Sequence, residues 1–176
     1  MESSSGNKNP GDKYGWTSLH GAAKFGYTEV YQLIMTYTEE KNPKRTFDGK
    51  TPLHVAAEKG HMEICKLIVE EVENKNPADN KGSTPLHKVA KNGHIEIFHF
   101  MVTYVGDINP SAANGWTPLH YAADGGHINI CKLIVESIED KMPKTQNGIT
   151  PLTLASKKDH FELAHFLVAS HLKINE

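Results

Sequence analysis

The sequence predicts an all-α solenoid, a row of five stacked helix-turn-helix units, and three observations carry that prediction. A tetrad reading TSLH, TPLH, TPLH, TPLH and TPLT begins at Thr17, Thr51, Thr84, Thr117 and Thr150, so the chain repeats at intervals of 34, 33, 33 and 33 residues. Each tetrad opens a pair of short segments with helical apolar spacing, separated by a turn. Each of the first four pairs is followed by a polar stretch with a matched proline, Pro43, Pro77, Pro110 or Pro143. Units this short bury their apolar sides only against neighbours, which is how a solenoid is held together.

The units are 17–50, 51–83, 84–116, 117–149 and 150–176. Residues 1–16 form a tail that ends in the closing part of a preceding unit, because NKNPGDKYGW matches NKNPADNKGS and DINPSAANGW. Within the second unit, Thr51 followed by Pro52 reads as an N-cap and first helical residue, where the missing proline N–H costs nothing. Leu53, Val55, Ala56 and Ala57 supply apolar contacts, and the alanines let another helix lie close. Gly60 ends that helix, as expected where the chain enters the left-handed region. From His61 to Val72, the residues Ile64, Leu67, Ile68 and Val72 recur at helical spacing and predict a second, antiparallel helix. Asn76, Pro77, Asp79, Asn80 and Gly82 make the turn-prone link to the next unit.

TPLHVAAEKGHMEICKLIVE resembles the ankyrin repeat, whose pattern runs T-P-L-H-x-A-A, then G-H, then an apolar second helix, and the resemblance covers almost the whole chain. It implies a curved right-handed stack with paired helices on one side and β-hairpin fingers projecting from the other. It also implies a protein-binding role for the concave surface built from the fingers and the first helices. Departures from the family pattern carry their own expectations. Thr38, Val72, Val105 and Ile138 stand where the family has glycine after helix two. Such residues resist the left-handed conformation, so the second helices are expected to run about a turn longer. The first unit carries one extra residue before Gly49, which should bulge its finger. The last unit replaces the tetrad histidine by Thr153 and the turn glycine by Asp159, as an end unit facing water would.

Composition narrows the function classes. A chain of 176 residues with 38% apolar content and a formal charge of −2 gives no reason to expect nucleic acid or an anionic membrane as partner. No apolar run reaches 18 residues, and MESSSGNKNPGDKYG lacks the apolar segment of a signal peptide. The expected location is intracellular, cytoplasmic or nuclear. Cys65 and Cys131 occupy one position two units apart, too distant for a disulfide, and are read as buried inert thiols.

Eleven histidines invite a metal or acid–base reading. His20, His54, His87 and His120 end the tetrads, while His61, His94, His127 and His160 follow the turns. Zinc needs three or four donors converging at about 2.0–2.1 Å, and histidines one unit apart are separated by a whole layer. The tetrad histidines are therefore expected to tie threonine and nearby backbone groups together. No metal, no cofactor and no catalytic residue is expected, since no nucleophile elbow, phosphate loop or paired-carboxylate pattern occurs.

Function is then expected where the copies differ. Around the glycine before each tetrad stand Tyr14 and Trp16, Phe47 and Lys50, and Asn114 and Trp116; after the tetrads come Val55, Lys88 and Tyr121; the ends of the first helices carry Phe25, Lys59, Lys91 and Asp124. Both tryptophans share one repeat position, where scaffold packing is satisfied elsewhere by Lys50, Ser83 or Ile149. Large rings of this kind anchor interfaces. Two readings stand for each ring: contact with a partner, or packing on neighbouring fingers. Lys59, Lys88 and Lys91 form a central basic patch that would suit an acidic or phosphorylated segment. Asn109 in VGDIN resembles the asparagine that hydroxylases modify in ankyrin fingers, set against a structural asparagine bonded within its turn. The expected function is a monomeric, non-enzymatic module that binds another protein; the alternative is a spacer within a longer array.

Overall fold

The structure, a computed structural model, describes residues 9–172; the opening residues 1–8, with the MESSS stretch, and residues 173–176 of the fifth unit lie outside them. The described chain is a row of helix pairs. They are α1 (Ser18–Phe25) with α2 (Thr28–Tyr37), α3 (Pro52–Lys59) with α4 (Met62–Glu71), α5 (Pro85–Asn92) with α6 (Ile95–Val102), α7 (Pro118–Asp124) with α8 (Ile128–Ser137), and α9 (Pro151–Lys157) with α10 (Phe161–Leu172).

Each first helix starts at its tetrad threonine, which holds extended backbone, φ −105° and ψ 166° at Thr51. In the first four units the tetrad histidine completes the start. His54 Nδ1 accepts the Thr51 amide N–H at 3.1 Å, and the Thr51 hydroxyl lies 3.0 Å away. An amide can only donate, so the ring proton sits on Nε2. There it donates to the carbonyl of Ser83, the residue directly before the next tetrad, at 3.0 Å. His20, His87 and His120 reach Lys50, Trp116 and Ile149 in the same way at 3.1–3.2 Å. One side chain thus caps a helix and bonds two layers.

The turn histidines bond in the opposite direction. Nε2 of His61, His94, His127 and His160 donates to the carbonyl of Lys24, Glu58, Lys91 and Asp124 of the preceding unit, at 3.2–3.3 Å. Their rings lie over the turn glycines: a Cβ on Gly60, whose φ is +81°, would sit 2.7 Å from the His94 ring. Left-handed backbone and a ring overhead both select glycine. Unit one has Tyr27 where a backward-reaching histidine would stand, and unit five has Thr153 where a forward-reaching one would stand. Asp159, in the fifth turn, adopts φ +59° although it is not glycine.

First helices pack against one another through buried Ala22, Ala56, Val89, Ala122 and Ala155. Second helices meet less closely, so each layer is a wedge with the first helices on its narrow side. Ile64, Ile97, Ile130 and Leu163 fill the outer layer at 0–3% exposure, each worth roughly 1.5–3 kcal/mol of apolar burial. Val30, their counterpart in unit one, is 47% exposed.

Two expectations are corrected. The second helices do not run a turn longer: Thr38, Val72 and Ile138 take extended backbone directly after Tyr37, Glu71 and Ser137. A lysine three residues on supplies what a left-handed glycine would. Lys41 Nζ donates to the carbonyls of Met35 and Thr38, Lys75 to Val69, and Lys141 to Val135 and Ile138, which satisfies orphan carbonyls and places positive charge at the helix C-terminus. Ile108 holds that place in unit three, and α6 there ends at Val102 in a tight turn closed by Thr103.

The β-hairpins expected of the fingers do not show as strands: among the described residues each finger closes with only two backbone bonds, such as Asp79 N–H to Ser83 and Gly82 N–H to Asp79. The extra residue of unit one widens its turn as expected: Gly49 N–H donates back four residues to Arg45, where Gly82, Gly115 and Gly148 reach back three.

Candidate protein-interaction surface

The fingers form a second ladder beside the first helices. One amide of each donates to a carbonyl of the finger before it: Phe47 to Tyr14, Asn80 to Asp48, Ala113 to Lys81 and Gln146 to Asn114, at 2.9–3.3 Å. Asp12 and Asp79 stiffen their own turns, Oδ1 accepting two amides each at 2.8–2.9 Å. The amides of Trp16 and Tyr14 hold the Asp12 carboxyl below its ordinary value. This rigid edge and the first helices enclose an open cleft of about 760 Å3, lined by Phe47, Lys50, Asp79, Lys88, Asn114 and Tyr121.

The side chains singled out from the sequence fall into three groups. At the N-terminal end, Trp16 lies under the Arg45 guanidinium, 5.0 Å from the ring, with Lys24 at 5.8 Å. Tyr14 meets Phe47 edge-on at 5.9 Å, and Phe25 stacks on Tyr27 at 5.8 Å; Phe47 and Phe25 remain 72% and 60% exposed. At the far end, Trp116 contacts Tyr121 at 4.8 Å, and Tyr121 stands edge-on to His87 at 5.9 Å. Burial raises the Tyr121 phenol above its usual value, with Asp79 and Asp124 adding to the effect.

Between these groups lies the lysine-bearing centre. Lys88 is mostly buried, and Nζ donates to Ser83 Oγ at 2.9 Å while lying 3.4 Å from Asp79 Oδ2. Burial lowers its pKa against the pull of Asp79. Lys50 pairs with Glu58 at 3.6 Å. Lys59 and Lys91 are exposed at the ends of α3 and α5. The patch is therefore two neutralised lysines flanked by two free ones. Val55, at 7% exposure, belongs to the core and has little surface to offer. Asn114 is exposed, its Oδ1 accepting the Trp116 amide at 3.1 Å, and Asp124 faces Lys158 at 3.9 Å. Asn109 Oδ1 accepts the Leu119 amide of α7 at 2.9 Å, as Asn42 and Asn76 do for Leu53 and Leu86.

Arg45 was not singled out from sequence, although it is the sole arginine of the chain and arginine is enriched in interface anchors. It bonds Asp48 and covers Trp16 at once. Asp79 and Ser83 were passed over because nothing in a linear reading pairs them with Lys88, five to nine residues away on the next helix.

Burial lowers the pKa of His20, His54 and His87 to about 4, opposed by their bonds to the carbonyls of Lys50, Ser83 and Trp116, and lowers that of His120. They are neutral structural groups at physiological pH. Burial likewise raises the Cys65 and Cys131 thiols to about 12. Among the described residues no group of three or more His, Cys, Asp or Glu is placed to hold a metal ion, and no helix is long and apolar enough to cross a membrane.

A family profile described as ankyrin repeats, three copies, matches residues 19–112 and again 89–176. No curated protein matches the chain.

Proposed function

Because the chain belongs to the ankyrin-repeat family, whose members are generally non-enzymatic modules for binding other proteins, we propose that it holds a partner protein in the cleft between its fingers and first helices. The observation that carries this reading is that both tryptophans and the sole arginine, at positions where otherwise alike units differ, stand on that one side. Trp16, Arg45, Phe47, Trp116 and Tyr121 stand along it on a backbone ladder that leaves little to order on binding. Trp16 and Trp116 act as the anchors; Phe25, Lys59 and Lys91 form the rim. The module works as a monomer inside the cell, and two buried reduced thiols accord with that setting.

Affinity capture from source cells tests it, comparing the native chain with a Trp16→Ala, Trp116→Ala, Tyr121→Ala variant of confirmed helicity. A protein retained by the first and lost by the second supports the cleft; equal retention refutes it. Phe47→Ala serves as a second variant, since so exposed a ring has little part in stability. A spacer reading has one observation in its favour: Val30 and Leu33 of α2 are 47% and 58% exposed where the equivalent residues inside the stack are buried or partly buried against the core. Sedimentation velocity over a wide concentration range separates the two, because a spacer with uncovered ends should associate and a binding module should not.

A further inference from the structure

The formal charge of −2 conceals a segregation of charge across the stack. The fingers and first helices, residues 10–25, 43–59, 77–92, 110–125 and 143–158, carry twelve lysines and arginines against five acids. The second helices and the links after them, residues 26–42, 60–76, 93–109, 126–142 and 159–172, carry five against fourteen. The finger side thus has an excess of seven positive charges and the outer side an excess of nine negative.

The pairing pattern sharpens the contrast. All five acids of the finger side are already engaged: Asp48 with Arg45, Glu58 with Lys50, Asp79 with Lys88, Asp124 with Lys158, and Asp12 with its own turn amides. Lys24, Lys59, Lys81, Lys91 and Lys157 have no carboxylate partner among the described residues. On the outer side the reverse holds. Lys41, Lys75 and Lys141 are bound to helix-terminal carbonyls and Lys66 to Glu63, so its acids dominate.

Resting on the cleft as the binding site, we propose that the partner contributes an acidic, extended peptide segment with apolar or aromatic residues between its carboxylates. The free lysines run along the ends of the first helices and the finger tips, and meet the carboxylates. Trp16, Phe47, Trp116 and Tyr121 stand between them for the apolar residues. A nucleic-acid strand fits less well. It carries a charge at every step and would meet Asp12, Asp48, Glu58, Asp79 and Asp124 at regular intervals, where a peptide can place uncharged residues. The acidic outer side would in turn repel such a segment and confine it to the cleft.

Fluorescence anisotropy with the full chain tests this. The probe is a labelled twelve-residue peptide of alternating Glu and Asp interrupted by Phe and Leu; its Gln and Asn counterpart and a twelve-nucleotide thymidine strand are the comparisons. We expect the acidic probe to bind, its affinity to fall with salt, and Lys24→Gln, Lys59→Gln, Lys91→Gln together to weaken it about tenfold, two- to threefold per exposed charge. The same three changes should leave the thermal midpoint within a few degrees, since these side chains are exposed. No binding up to about 1 mM probe, equal binding of the amide counterpart, or unchanged affinity of the lysine variant overturns the proposal. Tighter binding of the thymidine strand overturns it in favour of nucleic acid. Self-association at low salt, lost in the lysine variant, would assign the basic side to the acidic back of a second copy. Loss of probe in the Trp16, Trp116, Tyr121 variant alone keeps the cleft while refuting the acidic partner. Loss in the lysine variant alone keeps the acidic partner and refutes the aromatic anchors.

Discussion

Lowering the pH from 7.5 to 5 should strip this protein of much of its stability, and the tetrad histidines set the size of the loss. In the folded chain His20, His54 and His87 titrate at about 4, because burial disfavours the imidazolium and Nδ1 is already committed to an amide donor. Unfolded, they return to the ordinary value of 6.5. The unfolded state therefore takes up protons first as pH falls. The stability these rings contribute is present in full above about pH 6.5 and is lost progressively down to about 4. At pH 5 the difference is about 2 kcal/mol per ring, or about 6 kcal/mol for the three. His120 acts in the same direction. A fold stabilised by about 5–15 kcal/mol would be close to failing.

Urea titrations followed by circular dichroism at pH 7.5, 6 and 5 measure this directly. With a slope of about 2 kcal/mol per molar urea, the midpoint should drop by about 3 M between the first and last. Asp12 and Asp48 do not blur the window. Amide donors lower Asp12, and in Asp48 the Arg45 bond overcomes an opposing burial effect, so both act only below about pH 4. A midpoint that stays constant to pH 5, or rises, would refute the neutral-histidine account of how the layers are joined.

Three further predictions rest on single residues. Gly60→Ala should cost about 1–3 kcal/mol, from left-handed strain and a clash with the His94 ring, whereas Gly106→Ala, with nothing within 4 Å, should change stability by less than about 0.5 kcal/mol in the same denaturation assay. Lys75→Met should destabilise by about 1–2 kcal/mol by uncovering the Val69 carbonyl at the end of α4; the equivalent Ile108→Met in unit three, where no such cap exists, should be neutral. Cys65 and Cys131, both fully buried and raised to about 12 by burial, should react with a thiol reagent at pH 8 only as fast as the chain opens; rapid labelling in native buffer would contradict their placement.

The period, the helix pairs and the tetrad histidines were legible in the sequence because repetition is local and each unit restates the same caps. The second-helix ends were not. Val72 correctly argued against a left-handed residue, but the helix could still stop because Lys75 reaches back to a carbonyl, a contact that pattern and propensity do not encode. The finger shape was missed for a similar reason: Asp79 and Gly82 specify a turn, and two bonds are too few to make a ladder. In the candidate site, Trp16, Trp116 and Tyr121 were found because they break the repeat. Val55, a candidate by its repeat position, is covered, and Lys88 of the basic patch is held by Asp79 and Ser83, partners that its repeat position does not reveal. Charge segregation was invisible in the net charge of −2, since it depends on which helix of each pair carries the residue.

The most direct test of the central claim, that function lies on the finger and first-helix side, is amide hydrogen exchange of the chain with and without its captured partner. The account predicts slowed exchange in the finger segments 45–50, 79–83 and 112–116 and at the ends of α3 and α5, with α4, α6 and α8 unchanged. Protection confined to those second helices would contradict it.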